Sequence, residues 1–277
     1  MRKLTIGMIV YDDWDGFYFT IQSIREFHAE CMNNVEFVII NTNSKSKQGK
    51  EISKFISDGF IKEPLFYHEC DNSRGAFAKE KIFEFAKTPY VLVSDCHVIF
   101  GKDSIKELIG FFDAGLDEGG LVQGPLIYDD LISVSTHLTP TWGSGMLGQW
   151  AYDKRYKTEN YFEIPAQGMG VFACRKDSWV SFNKKHKGFG GEEYYTQDKF
   201  RKNGKKAICL NSLRWIHRFR RPDGAPYPVD RENKFKNQIR GFLELDKPVF
   251  EVIEHFKSLG ESEEKLRSWL LDVIKEK

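Results

Sequence analysis

Cysteine is scarce and scattered in this sequence. The five thiols, Cys31, Cys70, Cys96, Cys174 and Cys209, include no Cys-x-x-Cys pair. That pattern reads as reduced thiols in a cytosolic setting, with Cys174 and Cys209 as small core residues. No Gly-x-Gly-x-x-Gly follows the first strand-like segment, and no Gly-x-x-x-x-Gly-Lys-Ser/Thr occurs anywhere. A dinucleotide enzyme and a P-loop kinase are therefore not expected. No apolar run reaches the roughly 18 residues that a membrane helix needs, and Met1-Arg2-Lys3-Leu4 carries no secretory signature. The expectation is a soluble, cytoplasmic protein with no membrane partner. Net charge is nearly absent as well, at +1 over 277 residues, so bulk electrostatics do not announce a nucleic-acid binder.

What is present is core. Hydrophobic residues make up 41% and aromatics 14% of the chain, enough for a substantial folded unit. The length suits one large domain with, at most, a small appendage. Leu4–Tyr11 (LTIGMIVY) is a short apolar run of the kind buried in a parallel sheet. Phe17–Cys31 reads as an amphipathic helix, Val35–Ile40 as a second strand and Lys50–Gly59 as a helix. Pro64–His68 is a third strand, Gly75–Ala86 a helix and Tyr90–Ser94 a fourth strand. This alternation predicts an α/β fold: a Rossmann-like, mostly parallel central sheet with helices on both faces.

The second half is less regular. A helix is predicted over 102–114, and strands over Leu121–Tyr128, Gly170–Cys174, Ala207–Leu210 and Leu213–Ile216. Thr136–Gln149, rich in Gly, Thr and Trp, reads as a loop over the site. Glu192–Asn203 is helical. Arg218–Asp230, with three prolines, is a loop, and Arg220–Pro228 within it is a candidate lid. Lys234–Leu245 and Pro248–Lys275 are helical, the latter interrupted near Gly260. These last helices either pack on the preceding domain or form a dimer contact.

In a parallel sheet, ligands sit outside the carboxyl ends of the strands. Three strand ends carry polar clusters: Tyr11-Asp12-Asp13, Asn41–Ser44 and Asp95-Cys96-His97. In an extended segment residues i and i+2 share a side, so Asp95 and His97 can face one ion. A carboxylate with an imidazole suits Mn2+ or a similar transition ion better than Mg2+. The bland alternative makes Asp95 a local cap at a strand-to-helix turn. His217 follows the apolar run Leu213–Ile216 and precedes Arg218 and Arg221, so it offers a ligand beside phosphate-pairing guanidinium groups. A lone histidine is otherwise a structural residue. Gly188-Phe189-Gly190-Gly191-Glu192-Glu193 is a glycine hinge opening a helix. Its glutamates either stabilise the helix start or meet sugar and acceptor hydroxyls. Asn72-Ser73-Arg74-Gly75 precedes a helix with Lys79, which is an ordinary cap or a diphosphate contact. Tyr227 is a candidate stacking group. Positive charge gathers at Lys184–Lys187, Lys199–Lys206 and Arg214–Arg221, as solvated faces or as a cleft wall for phosphates.

Taken jointly, these features resemble the polypeptide N-acetylgalactosaminyltransferases and the hydroxyproline N-acetylglucosaminyltransferases. Asp95-x-His97 is similar to their metal motif and His217 to its third ligand. Gly190-Gly191-Glu192 is similar to their G-G-E, and Gly168 and Gly170 fall in their sugar-side glycine strand. The resemblance covers most of residues 4–221. It implies a GT-A fold, a UDP-sugar donor, Mn2+ and transfer with retention. By it, residues 1–240 form the catalytic domain, with a nucleotide-binding half (1–100) and a sugar and acceptor half (101–240). Residues 241–277 are a helical extension. The nucleotide-sugar is expected near Tyr11, Asp12, Asp13, Asn41, Asn43, Arg74, Gly75, Lys79, Ser94, Asp95, Cys96, Gly168, Gly170, Gly190, Gly191, Arg218, Arg221 and Tyr227. Asn41-Thr42-Asn43 stands where the family carries aspartates, and no counterpart of the animal enzymes' lectin domain is expected.

The expected activity is a hexosyl or N-acetylhexosaminyl transfer to a hydroxyl. The leaving diphosphate is the proton acceptor in a retaining route, and Glu192 or Glu193 the base in an inverting one. The acceptor is a protein or glycan hydroxyl, or a hydroxymethylated pyrimidine in DNA, which the basic 184–221 stretch with Trp215, Phe219 and Tyr227 would suit. A nucleotidylyltransferase fits less well, because Tyr11–Gly16 is acidic where a glycine- and arginine-rich loop is required. A non-catalytic nucleotide-sugar-binding protein would keep the same pocket.

Overall fold

A computed structural model describes residues 1–70, 75–220 and 224–276. In chain order the elements are β1 (Leu4–Val10), α1 (Trp14–Phe27), β2 (Val35–Asn41), α2 (Lys47–Ser57), β3 (Leu65–Glu69), α3 (Glu80–Phe85), β4 (Tyr90–Asp95), β5 (Val98–Phe100), α4 (Ser104–Asp113), β6 (Leu121–Gln123) and β7 (Leu126–Ile127). There follow β8 (Val134–Ser135), β9 (His137–Gly143), β10 (Met146–Ala151), β11 (Tyr161–Glu163), β12 (Val171–Arg175), α5 (Glu193–Lys202), β13 (Ala207–Leu210), β14 (Trp215–His217), α6 (Arg231–Glu244), α7 (Phe250–Ser258) and α8 (Glu263–Lys275).

The main sheet has eight strands in the order β11-β13-β6-β12-β4-β1-β2-β3. β1 lies parallel between β2 and β4, and β3 adds parallel to β2. β12 runs antiparallel to both β4 and β6, so the sheet is mixed beyond its parallel half. Strands buried on both faces need apolar residues at every position, which is why β1, β2 and β4 read as continuous hydrophobic runs. Alternate residues feed two cores. Leu92, Phe37 and Ile39 face Phe17, Ile21 and Ile24 of α1, Ile52 of α2 and the apolar side of α4. Val91, Val93, Val38 and Ile40 face Phe77, Ile82 and Phe83 near α3 and Phe200 of α5. Helices therefore cover both faces, as expected.

Several expected boundaries move. The helix expected over Phe17–Cys31 begins at Trp14, because Asp13 caps it: Gly16 N–H donates to Asp13 Oδ1 at 3.1 Å. It ends at Phe27 and gives way to a 3-10 turn at Ala29–Asn34. The single strand expected over Leu121–Tyr128 breaks at Gly124-Pro125. A Cβ on Gly124 would lie 1.5 Å from the Leu213 carbonyl oxygen, so only glycine allows that crossing. β7 then leaves the main sheet for a second, four-stranded one, in the order β5-β14-β7-β8.

Thr136–Gln149 is not a loop. It forms the antiparallel hairpin β9–β10, closed at Ser144 and Gly145, whose φ values of +52° and +79° suit a two-residue turn. The hairpin packs Leu138 and Leu147 against Phe235, Phe256 and Trp269 in a third core shared by α6, α7 and α8. The boundary expected at residue 240 falls inside α6, whose buried Phe235, Ile239 and Phe242 hold the last helices against the hairpin.

Candidate active site

The site lies at the carboxyl ends of β1 and β4. The chain leaves β4 at Asp95, turns through Cys96 and His97, and enters β5. β14 pairs antiparallel with β5, setting His217 opposite Val98. Arg218 N–H closes the register by donating to the His97 carbonyl at 3.2 Å. This pairing joins residues far apart in sequence: His97 Nε2 lies 3.1 Å from His217 Nε2, and His217 Nε2 lies 3.5 Å from Asp95 Oδ2. One donor atom from each of Asp95, His97 and His217 falls within 4.8 Å of the others. Bonds of about 2.1 Å place adjacent donors on one ion about 3 Å apart, so the set fits a single divalent cation.

The surroundings orient these side chains. Asp13 caps α1 with Oδ1 and turns Oδ2 to His97 Nδ1 at 2.9 Å. An Nδ1–H donated to that carboxylate leaves the Nε2 lone pair facing His217 and Asp95, the usual support of a metal-ligating imidazole. The buried Lys79 ammonium sits 3.2 Å from Asp95 Oδ1 and also donates to the Met169 carbonyl. Burial alone would raise the Asp95 carboxyl, but the Lys79 charge and the His217 hydrogen bond hold it well below the ordinary carboxylate range. Burial likewise opposes the Lys79 charge, yet Asp95 and Glu192 raise its pKa overall. Both groups are thus ionised in place.

On β12's approach, the Gly170 carbonyl accepts from Asp95 N–H at 2.7 Å. A Cβ there would sit 3.1 Å from Asp95 Oδ2 and 3.7 Å from His217 Cδ2, so the missing side chain is space belonging to the ligand cluster.

A cavity of about 330 Å3 opens beside the cluster. Its walls include Tyr11, Asp13, Thr42, Lys79, Asp95, Cys96 and His97 on the sheet side. Gly75, Ala76, Gly188 and Phe189 form the far wall. Gly75 has φ +66°, and a Cβ on it would strike the Gly188 carbonyl oxygen at 2.2 Å. Ala76 N–H donates to that same carbonyl at 2.8 Å, zipping the two loops together. Pro226, Tyr227 and Pro228 also line it, the Tyr227 ring 5.7 Å from that of Phe189.

Other expected contacts have different surroundings. Asn41 is fully buried and ties loops together, donating to Gly49 O at 3.0 Å and to the Tyr67 hydroxyl at 2.8 Å. Asp12 accepts from Asn43 Nδ2 at 2.8 Å and from the Ser46 hydroxyl, bracing the β2–α2 loop. Ser94 is buried and donates to the Asp95 carbonyl. Gly168 lies against Trp150, and Gly190 and Gly191 turn with φ near +93° and +94° against Lys234 and Asn237 of α6. Glu192 and Glu193 are buried at the start of α5, off the cavity wall. Burial, then Glu192, pushes Glu193 up to about 8; burial also raises Glu192, against the pull of Lys79. The Arg218 side chain is exposed. Arg74 and Arg221 lie outside the described residues. Much of the expected basic wall is engaged elsewhere: Lys199 pairs with Glu244, Lys202 with Asp246 and Lys206 with Glu118. Sequence reasoning missed Thr42, Ala76 and Asn233 as lining residues. Thr42 sat within the polar strand end already noted, but nothing local marks Asn233, which only the docking of α6 brings to the site.

A model of the family described as Glycosyl transferase family 2 matches residues 5–175. The chain belongs to this family. The match runs from β1 to the end of β12 and so includes the Asp95–His97 turn and Gly170. Solved structures share the fold. That of GalNAc-T7 with UDP, GalNAc and Mn2+ aligns with a TM-score of 0.69 at 15% identity, covering 88% of this chain and 48% of that one. The chain thus spans about half the length of that relative. The mannosyltransferase PcManGT of Pyrobaculum calidifontis, in complex with GDP-Man and Mn2+, gives 0.58 at 13% identity, covering 99% and 74%. Residues 1–349 of S. aureus TarS give 0.54 at 12%, covering 88% and 71%. A search of curated proteins gives no sequence match. Identities this low establish a GT-A glycosyltransferase fold. Among the described residues no helix is long and apolar enough to cross a membrane.

Proposed function

We propose that this chain is a Mn2+-dependent transferase that moves a hexosyl or N-acetylhexosaminyl group from a UDP-sugar to a hydroxyl acceptor with retention. The observation that carries the reading is the convergence of Asp95, His97 and His217 beside a cavity at the sheet's carboxyl edge. Mn2+ accepts this mixed oxygen and nitrogen donor set more readily than Mg2+ does, and the GalNAc-T7 and PcManGT structures both contain it. Bound there, the ion would neutralise charge on the departing nucleoside diphosphate.

The chain's own residues prepare that step. Lys79 keeps Asp95 ionised and fixes one of its oxygens. Asp13 holds the proton on His97 Nδ1 and so presents Nε2. Tyr11, Thr42 and Tyr227 bound the space for the nucleotide, and Gly170 leaves room beside the ligands. Retention is supported by the carboxylates. The two on the cavity wall, Asp13 and Asp95, are already engaged. Glu192 and Glu193 are buried off the cavity wall, and burial raises both carboxyls, so neither is placed as a base for an inverting attack, and the leaving diphosphate is left to take the acceptor's proton. Protein and glycan hydroxyls are the acceptors of this reading.

The test is a panel of nucleotide sugars with Mn2+, following release of nucleoside diphosphate and the anomeric configuration of the product by NMR. Release from a UDP-sugar, abolished by chelator and by Asp95→Ala, is expected. No release from any nucleotide sugar, or full activity in chelator, refutes the proposal.

A further inference from the structure

His97 presents its two ring nitrogens to two different sets of donors. Nε2 faces Asp95 and His217, whereas Nδ1 faces Asp13 and Cys96. Asp13 Oδ2 lies 2.9 Å and Cys96 Sγ 3.6 Å from Nδ1, and donor atoms of these three residues fall within 4.8 Å of one another. Asp13 and Cys96 are 7% and 4% exposed, so both are held by their surroundings. All three nonetheless line the cavity. In a tetrahedral site with bonds of about 2.3 Å to sulfur and about 2.1 Å to nitrogen, the sulfur–nitrogen edge is about 3.6 Å. The observed separation matches it, and the Asp13 oxygen, 2.9 Å from Nδ1, needs to draw back from that nitrogen by about half an ångström.

We propose that Asp13, Cys96 and His97 form a second cation site, selective for Zn2+ or another thiophilic divalent ion, whose occupation competes with that of an ion at Asp95, His97 and His217. Thiolate is a soft ligand, which favours Zn2+ and disfavours Mn2+. Binding forms bonds from the ion to Sγ, Nδ1 and a carboxylate oxygen. The thiol proton leaves to water, and the imidazole proton moves from Nδ1 to Nε2. A protonated Nε2 has no lone pair for an ion on its other side. The two sites therefore compete for one imidazole ring, and Zn2+ at the outer site weakens binding at the inner one.

The binding test does not depend on the transferase reading. The 277-residue protein is titrated with Co2+ as a chromophoric stand-in for Zn2+, watching for the near-ultraviolet charge-transfer band of a cobalt–thiolate bond. The band is expected in the parent, in His217→Ala and in Cys70→Ser, and is lost in Cys96→Ser. If Cys96→Ser is unstable, Cys96→Ala takes its place. No band in the parent, or an undiminished band in the Cys96 variants, overturns the proposal. In a second arm, the Zn2+ concentration that halves Mn2+-dependent transfer rises by roughly tenfold or more in Cys96→Ser, on the scale of losing one supporting ligand. Equal Zn2+ sensitivity in that variant places the inhibition at the inner site and overturns the competition.

Discussion

Gly170→Ala separates the ligand cluster from the fold. The φ angle of Gly170 is not among the positive ones, so alanine fits the backbone there without strain. The new methyl group would lie 3.1 Å from Asp95 Oδ2 and 3.7 Å from His217 Cδ2. The first distance is shorter than ordinary van der Waals contact, so the carboxylate must give way by a few tenths of an ångström. Lys79 holds the other carboxylate oxygen from the far side, which leaves Oδ2 little freedom to swing. A ligand displaced on that scale weakens metal affinity about 10- to 100-fold, or about 1.4–2.7 kcal/mol. The assay is Mn2+ titration by electron paramagnetic resonance without donor, alongside thermal melting in chelator. The expected outcome is a melting temperature close to that of the parent with clearly weaker Mn2+ binding. Parent-like Mn2+ affinity in a folded Gly170→Ala protein would refute the reasoning.

Lys79→Met removes the buried partner of Asp95 and should cost about 3–5 kcal/mol of stability in chelator, with less lost in saturating Mn2+, because the ion replaces the missing charge; unchanged melting contradicts this. Glu193 has its folded pKa raised above the unfolded value, to about 8. Its contribution is therefore fully present below about pH 4.5 and is lost as pH rises towards 8. Glu193→Gln should melt near the parent at pH 4.5 and above it at pH 9; the reverse order, or no pH dependence, counts against a neutral Glu193.

The parallel half of the fold was legible because strands buried on both sides leave an unbroken apolar signature, as Leu4–Val10 and Val35–Asn41 do. The β9–β10 hairpin left no such trace. Pro140 and Gly148 interrupt its alternation, and a register shift between Leu147 and Gln149 breaks its period. β5, three residues long, is too short to announce itself, yet its pairing with β14 is what brings His217 to Asp95. Spacing along the chain cannot supply that contact. Polar residues at strand ends carried a real but undirected signal. Asp13 and Thr42 line the cavity, while Asn41 and Asp12, one residue away from each, spend their hydrogen bonds on neighbouring loops. Which way such a residue turns is set by the loop it meets and not by its own position in the sequence.

Mn2+ titration of His217→Ala in the presence of UDP is the most direct test of the central claim. If three side chains share one ion, the variant keeps its fold and loses at least about tenfold in Mn2+ affinity and in the Mn2+-dependence of donor cleavage. A folded variant with the parent's stoichiometry, affinity and turnover would contradict it.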